Sequence, residues 1–179
     1  MGKIDICLVE VGKVDEQTIE IIERNFPIYF NWNIKEIFKL PIPAQSFNPK
    51  RKQFHSSTII LFISNSLSKK PCKFVISVTE VDLYVEGLNF VFGEARPDLG
   101  VCIISTYRLK PEYYGESKDL KIFERRVLTE AVHEIGHLLN LKHCKDPNCV
   151  MFFSNSIFDT DRKGFLFCDR CKIKITEIK

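Results

Sequence analysis

The sequence predicts an α/β protein with a twisted, mixed and mostly parallel five-stranded sheet and packed helices. Short apolar, strand-like runs alternate with segments of helical periodicity, an order typical of a parallel sheet covered by helices. One connection between two predicted strands, residues 93–100, is too short for a parallel crossover. One strand of that pair should therefore be antiparallel and form an edge of the sheet.

The first half of the chain is predicted to contain two strands and two helices. A buried strand at 4–11 precedes a helix at about 16–25, for which Asp15 is a good N-cap. A second strand follows at 33–40. Residues 50–66 alternate basic and apolar side chains at near-helical spacing, which predicts a second helix.

The second half is predicted to supply the other three strands and the longest helix. The strands are expected at 74–79, 90–94 and 101–106, and the helix at 124–141. The chain from His143 onward should be mostly loop, with a short C-terminal segment.

Composition indicates that residues 1–179 form one domain or a domain with a small appendage. The 179 residues are 45% hydrophobic, which suffices for a core without disulfides. A net charge of +3 argues against dedicated nucleic-acid binding. The apolar runs are too short for a membrane span of about 20 residues, and the first strand is too acidic for a signal peptide. Seven cysteines, four of them with metal-ligand spacing, fit a reducing compartment, so we expect a cytoplasmic location. We also expect the protein to be a monomer.

Three histidines and a carboxylate lie within the eleven residues 133–143. His133 and His137 are four apart, so on a helix both rings can bind one metal ion. His143 can be the third ligand only if the chain turns sharply near Asn140. Three neutral imidazoles leave the fourth tetrahedral position open, which is typical of catalytic zinc. Glu134, one position further round the helix, is placed to accept a proton from water.

A solvated helix with this histidine spacing by chance is the alternative. It is disfavoured because three of the four histidines in the chain lie in the pattern.

Four later cysteines have the spacing of a second metal site. Cys168 and Cys171 form a C-x-x-C knuckle, and Cys144 and Cys149 form a slightly wider pair. Together they can close a tetrahedral thiolate shell around a structural zinc ion. Two disulfides are a less favoured alternative because nothing marks the chain as secreted. An iron–sulfur cluster is also disfavoured, since its usual cysteine spacings differ.

The histidine motif resembles that of the metzincin zinc peptidases, H-E-x-x-H-x-x-G-x-x-H with a later methionine turn. Asn140 replaces the glycine, and Asn readily adopts the left-handed backbone required there. Met151 fits the methionine turn, where the thioether is an apolar floor and not a ligand. The cysteine set and the stretches 40–49 and 81–93 resemble the archaemetzincin branch specifically.

This resemblance extends from about residue 40 to residue 171 and implies the architecture and activity of that family. It implies one metzincin-like catalytic domain, with the sheet, helices and zinc helix in 1–143. Residues 144–179 would then be a small zinc-stapled C-terminal part that carries the methionine turn. It also implies that the edge strand at 90–94 lines the cleft and binds an extended peptide.

The other cysteines and the remaining histidine carry less information. Cys7, Cys72 and Cys102 lie in or beside apolar runs and are expected to be buried free thiols. His55 is expected on the surface of a helix, and the basic cluster at 50–52 on a solvated face.

The sequence thus predicts a zinc-dependent metallopeptidase with two zinc ions per chain and Glu134 as general base. Since Cys144 directly follows His143, the structural zinc should help to position that ligand. Only Ser154 and Asn155 offer polar groups near the methionine turn to assist an oxyanion. The alternative is a zinc-stabilised module that binds peptides or a partner protein without cleaving them. Glu134 favours the enzyme, because a pure binder needs no base beside an open metal position.

Overall fold

A central sheet and five helices make up the described part of the chain. The computed structural model describes residues 3–177, Glu177 by its backbone only. The elements follow one another as β1 (Ile4–Val11), α1 (Glu16–Phe30), β2 (Trp32–Leu40), β3 (Phe47–Asn48), β4 (Gln53–His55), α2 (Ser56–Ser66), β5 (Phe74–Thr79), β6 (Leu83–Tyr84), β7 (Gly93–Arg96), β8 (Val101–Ser105), α3 (Leu120–Leu138), α4 (Ile157–Lys163) and α5 (Asp169–Glu177). Short 3₁₀ turns lie at Ala44–Ser46 and Pro111–Tyr114.

The five-stranded sheet has the strand order β2-β1-β5-β8-β7. Strand β1 pairs in parallel with β2 and β5, and β5 pairs in parallel with β8. Strand β7 is antiparallel to β8 and lies at the edge of the sheet. The predicted mixed, mostly parallel sheet with an antiparallel edge strand is confirmed. A smaller sheet of order β3-β4-β6 lies beside it.

Both faces of the main sheet are covered by helices. Along β1, Ile6 and Leu8 face the core shared with α1 and α3, whereas Cys7 and Val9 face the core shared with α2. This alternation follows from the two-residue period of a strand. None of the described helices has the length and apolarity to cross a membrane.

Helix α1 continues beyond its predicted end because tertiary packing overrides a local signal. Pro27 lies inside the helix, yet the helix runs to Phe30. Phe26 and Phe30 are buried and pack with Trp32, at ring-centroid distances of 5.5 Å and 4.6 Å. Burying these large rings offsets the one backbone hydrogen bond that proline removes.

The predicted helix at 50–66 is wrong in its first six residues. The Asn48 side chain accepts hydrogen bonds from the backbone N–H groups of Lys50 and Arg51, and Lys52 has φ 55°. Such an Asx turn competes with helix formation. Strand β4 follows the turn, so His55 is not on a helix surface. Its half-buried ring packs on Tyr84 at a centroid distance of 5.2 Å.

Other boundaries shift, and the C-terminal part contains two helices where mostly loop was predicted. The edge strand begins at Gly93 and not at residue 90, because Val91 forms a bridge with Leu83 of β6. Helix α4 is stabilised by a capping box between Ser156 and Asp159, a signal that the prediction overlooked.

Two of the three cysteines predicted to be free are joined in a disulfide. Cys7 and Cys72 are bonded, and their Cα atoms are 5.6 Å apart. Cys7 lies in β1 and Cys72 just before the neighbouring strand β5, so strand pairing brings them together. Apolar patterning cannot reveal this proximity. Cys102 is a free, buried thiol, as predicted.

Candidate active site

Helix α3 and the turn after it bring three histidines together. The helix begins directly after its N-cap residue Asp119, whose side chain accepts hydrogen bonds from two backbone N–H groups of the first turn. His133 and His137 lie one turn apart near the other end of the helix. Asn140 then adopts the left-handed conformation with φ 58° and turns the chain back. The ring of His143 consequently lies 5.4 Å and 4.9 Å from those of His133 and His137, centroid to centroid.

The three rings fit a zinc ion. Their ligand atoms all lie within 4.8 Å of one another, and the Nε2 atoms of His133 and His137 are 3.2 Å apart. Two nitrogens bound tetrahedrally at ~2.0–2.1 Å are separated by roughly 3.3 Å. The Nδ1 atom of His133 donates to the carbonyl of Val150 at 2.7 Å, and that of His137 to Leu141 at 2.8 Å. Because a carbonyl can only accept, each Nε2 keeps its lone pair for a metal.

The protonation state of the rings also suits a metal. Burial lowers the pKa of His133 well below its usual value, and the positive charge of Lys163 lowers it further. Burial likewise lowers the pKa of His137 and of His143. The rings are therefore neutral at pH 7, the form that coordinates zinc.

The four cysteine sulfurs form a second group of possible ligands. They too lie within 4.8 Å of one another, with Sγ–Sγ distances of 3.9 Å for Cys144–Cys168 and 3.7 Å for Cys149–Cys171. Thiolates bound tetrahedrally at ~2.3 Å lie roughly 3.8 Å apart. All four are free, so the alternative of two disulfides is not observed.

Met151 lies beneath the histidine motif, against a glycine in the middle of α3. Its side chain is fully buried. A Cβ added to Gly136 would overlap the Met151 sulfur and lie 3.2 Å from the Phe167 ring. Glycine inside a helix costs about 1 kcal/mol relative to alanine. Here it makes room for the thioether, a role that its position in the motif did not reveal.

The comparison with known sequences decides the family. The sequence model of peptidase family M54 matches residues 62–177. The chain belongs to peptidase family M54. Archaemetzincin of Pyrococcus furiosus is 42% identical to this M54 peptidase over 177 residues, which is 96% of this chain and 92% of the relative.

Solved structures agree with the assignment. The crystal structure of archaemetzincin from Archaeoglobus fulgidus, complexed with malonate, is 37% identical and has a TM-score of 0.78, covering 94% of this chain and 99% of that one. Archaemetzincin from Methanopyrus kandleri is 30% identical with a TM-score of 0.86, covering 98% and 95%. The predicted family and fold are confirmed, and the chain is a zinc metallopeptidase.

Glu134 of this M54 peptidase is a buried carboxylate against the edge strand. It is 5% exposed. Burial raises its pKa well above the usual value, and the negative charge of Glu130 adds to this, whereas Lys163 acts in the opposite direction. A cation held by the three rings would also favour the carboxylate form.

Gly93 of β7 packs so closely on Glu134 that no side chain fits. A Cβ at residue 93 would lie 2.7 Å from Glu134 Oε1 and 2.8 Å from the backbone oxygen of Ile103. Since that oxygen is held in the sheet, the carboxylate must move. We expect Gly93→Ala to lower kcat about 10²-fold, the cost of a small misplacement of a reacting group. Bound zinc should not change.

Measuring kcat and zinc content together checks this prediction. Ala95→Gly is the control, because it alters the same strand without adding an atom next to Glu134. A Gly93→Ala enzyme with wild-type kcat would show that the close approach has no catalytic importance.

Lys163 is a buried cation behind the site that the sequence analysis missed. Its side chain is 0% exposed, and Nζ lies 3.2 Å from Glu130 Oε1 and 3.2 Å from the carbonyl oxygen of Phe152. Nζ is also 3.3 Å from His133 Nδ1, but that nitrogen already donates to Val150. Lys163 thus links α4, the methionine-turn loop and the zinc helix. It is 20 residues beyond the histidine motif, with no spacing signal to connect them.

A cavity of about 210 Å³ opens beside Glu134. It lies between the residues that lead into β7 and the loop after Met151, and Ser154 and Asn155 line it. Among the described residues, the Ser154 hydroxyl oxygen is buried without a hydrogen-bond partner. These two polar residues are those that the sequence indicated, and both reach the cavity next to the carboxylate.

Cys168 is expected to be more reactive than Cys149 and Cys171 when metal is removed. Burial acts to raise the pKa of the Cys168 thiol. Hydrogen bonds, above all the one from the Cys171 backbone, outweigh burial and lower this pKa to about 7. Burial raises the pKa of Cys149 and of Cys171. Only thiolates are alkylated rapidly. In reduced, chelator-treated protein, iodoacetamide labelling of Cys168 should therefore rise with pH through about 7, while Cys149 and Cys171 need more alkaline conditions.

Peptide mass mapping of the labelled protein measures this order. Protein with saturating zinc is the control and should resist labelling at all four positions. Equal labelling of Cys149, Cys168 and Cys171 at pH 7 would contradict the prediction.

Proposed function

We propose that this M54 peptidase hydrolyses peptide bonds at the three-histidine site, with Glu134 as general base. One arrangement carries the proposal: the buried carboxylate of Glu134 lines the same cavity as His133, whose Nε2 atom is 3.2 Å from that of His137. A pure binding site has no need for a carboxylate in that position.

The protein side chains divide the chemistry among them. A zinc ion held by His133, His137 and His143 would supply Lewis acidity and lower the pKa of a coordinated water. Glu134 accepts the proton of the attacking water and returns it to the leaving amine. Ser154 is the best-placed donor for the developing oxyanion, since its hydroxyl has no other described partner.

The substrate is a peptide or protein bound in extended form along β7. This strand is at the edge of the main sheet, so an added peptide strand can pair with it. The close contact of Gly93 with Glu134 brings such a peptide backbone to the base.

A second zinc ion on Cys144, Cys149, Cys168 and Cys171 has a structural role in this proposal, because four thiolates leave no open position. The chain then acts as a single catalytic domain and a monomer, in which the cysteine-bound zinc holds together the C-terminal part that begins at Cys144.

Metal removal tests the function. Native mass spectrometry should find two zinc ions per chain, and mild chelation should remove one of them and abolish hydrolysis of a peptide library. Added zinc should restore it. Hydrolysis that persists in metal-free protein would refute a zinc mechanism. A two-zinc protein that cleaves no peptide would favour the binding module.

A further inference from the structure

A second opening beside the histidines is lined by four cations. It has a volume of about 630 Å³ and lies between the turn after α3 and α5. Lys142, Lys145, Arg170 and Lys174 border it, and all four side chains are exposed. None of them forms an ion pair with an acidic side chain that the structure describes. We name this opening the basic groove.

The fold brings these cations to one place from two separate segments. Arg170 and Lys174 are four residues apart on α5 and therefore share a helix face. Lys142 and Lys145 come from the turn that follows Asn140. The buried side chain of Leu141 provides an apolar wall.

The basic groove reaches the catalytic centre through His143, which is one of its lining residues. It shares no lining residue with the cavity at Glu134. A peptide whose scissile bond lies at the three rings can therefore enter the two openings with different parts of its chain.

The negative charge of a zinc ion bound by the four cysteines would balance only part of the positive charge of the groove. Zinc on four thiolates carries two net negative charges, and Cys144 and Cys171 line the groove. Complete neutralisation would still leave two positive charges. The sulfurs moreover accept hydrogen bonds from backbone N–H groups, from Cys168 to Cys149 at 3.4 Å and from Asp146 to Cys144 at 3.5 Å. At least two of the four positive charges are thus available to bind an external anion.

We infer that the basic groove binds aspartate and glutamate side chains of the substrate, on one side of the scissile bond. This inference rests on the proposed peptidase function and adds a substrate class to it. Lysine and arginine form charge-assisted hydrogen bonds with carboxylates, and a groove of one sign attracts the opposite charge from a distance. A peptide is the favoured ligand because the groove ends at a residue of the hydrolytic site.

Binding to a zinc-loaded Glu134→Gln protein tests the inference without requiring turnover. Fluorescence anisotropy would measure the binding of labelled peptides that share one neutral core. Three glutamates are added either before or after the core, and each acidic peptide is compared with one that has three glutamines at the same place. At 50 mM salt, the acidic peptide of one placement should bind about tenfold more tightly than its glutamine counterpart. At 500 mM salt the ratio should fall below about twofold, because salt screens exposed charges.

Charge-matched variants locate the effect. Replacing Lys142, Lys145, Arg170 and Lys174 together with glutamine should abolish the acidic preference while zinc content stays at two. The control replaces four exposed lysines elsewhere, Lys13, Lys69, Lys118 and Lys121, and should keep the preference. If the quadruple variant does not fold, the Lys142→Gln/Lys145→Gln pair should still reduce the ratio about threefold.

Several outcomes would overturn the inference. Equal binding of acidic and glutamine peptides would do so, and so would an equal loss in the control variant. Tight binding of a single-stranded oligonucleotide without any preference for the acidic peptide would assign the groove to another ligand. Failure of the proposed peptidase function would give a different result. The wild-type protein would then cleave neither the acidic nor the glutamine peptide, whichever of them it binds more tightly.

Discussion

Glu134→Gln is expected to lower kcat by about 10²–10⁴-fold while zinc remains bound, the range for loss of a general base. Glutamine has nearly the same shape as glutamate, but its amide cannot accept the proton. The rings and their carbonyl partners at Val150 and Leu141 are untouched. Hydrolysis of a cleaved library peptide and zinc content by mass spectrometry measure the two effects separately.

The same variant should make the metal-free protein more stable near neutral pH. Burial and Glu130 raise the pKa of Glu134 in the folded protein. Between its ordinary value of 4.5 and that raised value, the native state binds more protons than the unfolded state, so wild-type stability falls as pH rises. The gain from glutamine should therefore grow as the pH rises above 4.5.

Melting curves of chelated protein at several pH values give this second measurement. Wild-type kcat in the zinc-loaded Glu134→Gln enzyme would remove Glu134 from the mechanism. A variant less stable than wild type at pH 7 would show that the carboxylate has a structural partner. Glu134→Asp is a useful comparison, since it keeps the base but moves it.

Cys168→Ser should release the structural zinc and lower the affinity of the histidine site for zinc about 10–100-fold. Losses of this size are typical when residues that support the ligands of a metal are changed. A serine hydroxyl is a poor replacement for a thiolate. The connection between the sites is short: the backbone N–H of Cys144 donates to the Met151 carbonyl at 2.8 Å, and His143 is the preceding residue. Loosening Cys144 therefore loosens both a catalytic ligand and the residue beneath the site.

Zinc stoichiometry and chelator competition measure the two affinities in this variant. Cys102→Ala is the control, because it removes a buried free thiol that is outside the cysteine cluster. It should lower stability without releasing zinc. Unchanged affinity of the catalytic site in Cys168→Ser would show that the two sites are independent.

The sequence predicted the elements that have strong local signals. Strands 4–11 and 74–79 are observed with those limits, because buried apolar runs dominate them. The helix predicted at 50–66 was wrong only in its first six residues, because the turn at Lys52 depends on side chain–backbone hydrogen bonds that periodicity does not register. The disulfide between Cys7 and Cys72 was missed for a related reason, since strand order brings them together.

The site divides in the same way. The histidine motif and the C-x-x-C knuckle could be found because the residues of each are close in sequence. The sequence could not reveal three other residues of the site, because each contacts a residue that only the tertiary structure brings near. Gly93 packs on Glu134, Gly136 on Met151, and Lys163 pairs with Glu130. A glycine that provides space has the same appearance in a sequence as one that provides flexibility.

The hydrogen bond between Cys144 and Met151 has a consequence for how the protein acquires zinc. Coupling between two binding sites is reciprocal, so if the cysteine-bound zinc strengthens zinc binding by the histidines, occupancy of the histidines strengthens binding by the thiolates by the same factor. A chain that holds zinc on its cysteines would therefore fill its histidine site at a lower zinc concentration than a chain with empty cysteines. In a cell with a fluctuating zinc supply, a chain that keeps its cysteine-bound ion would regain its catalytic ion first as free zinc rises.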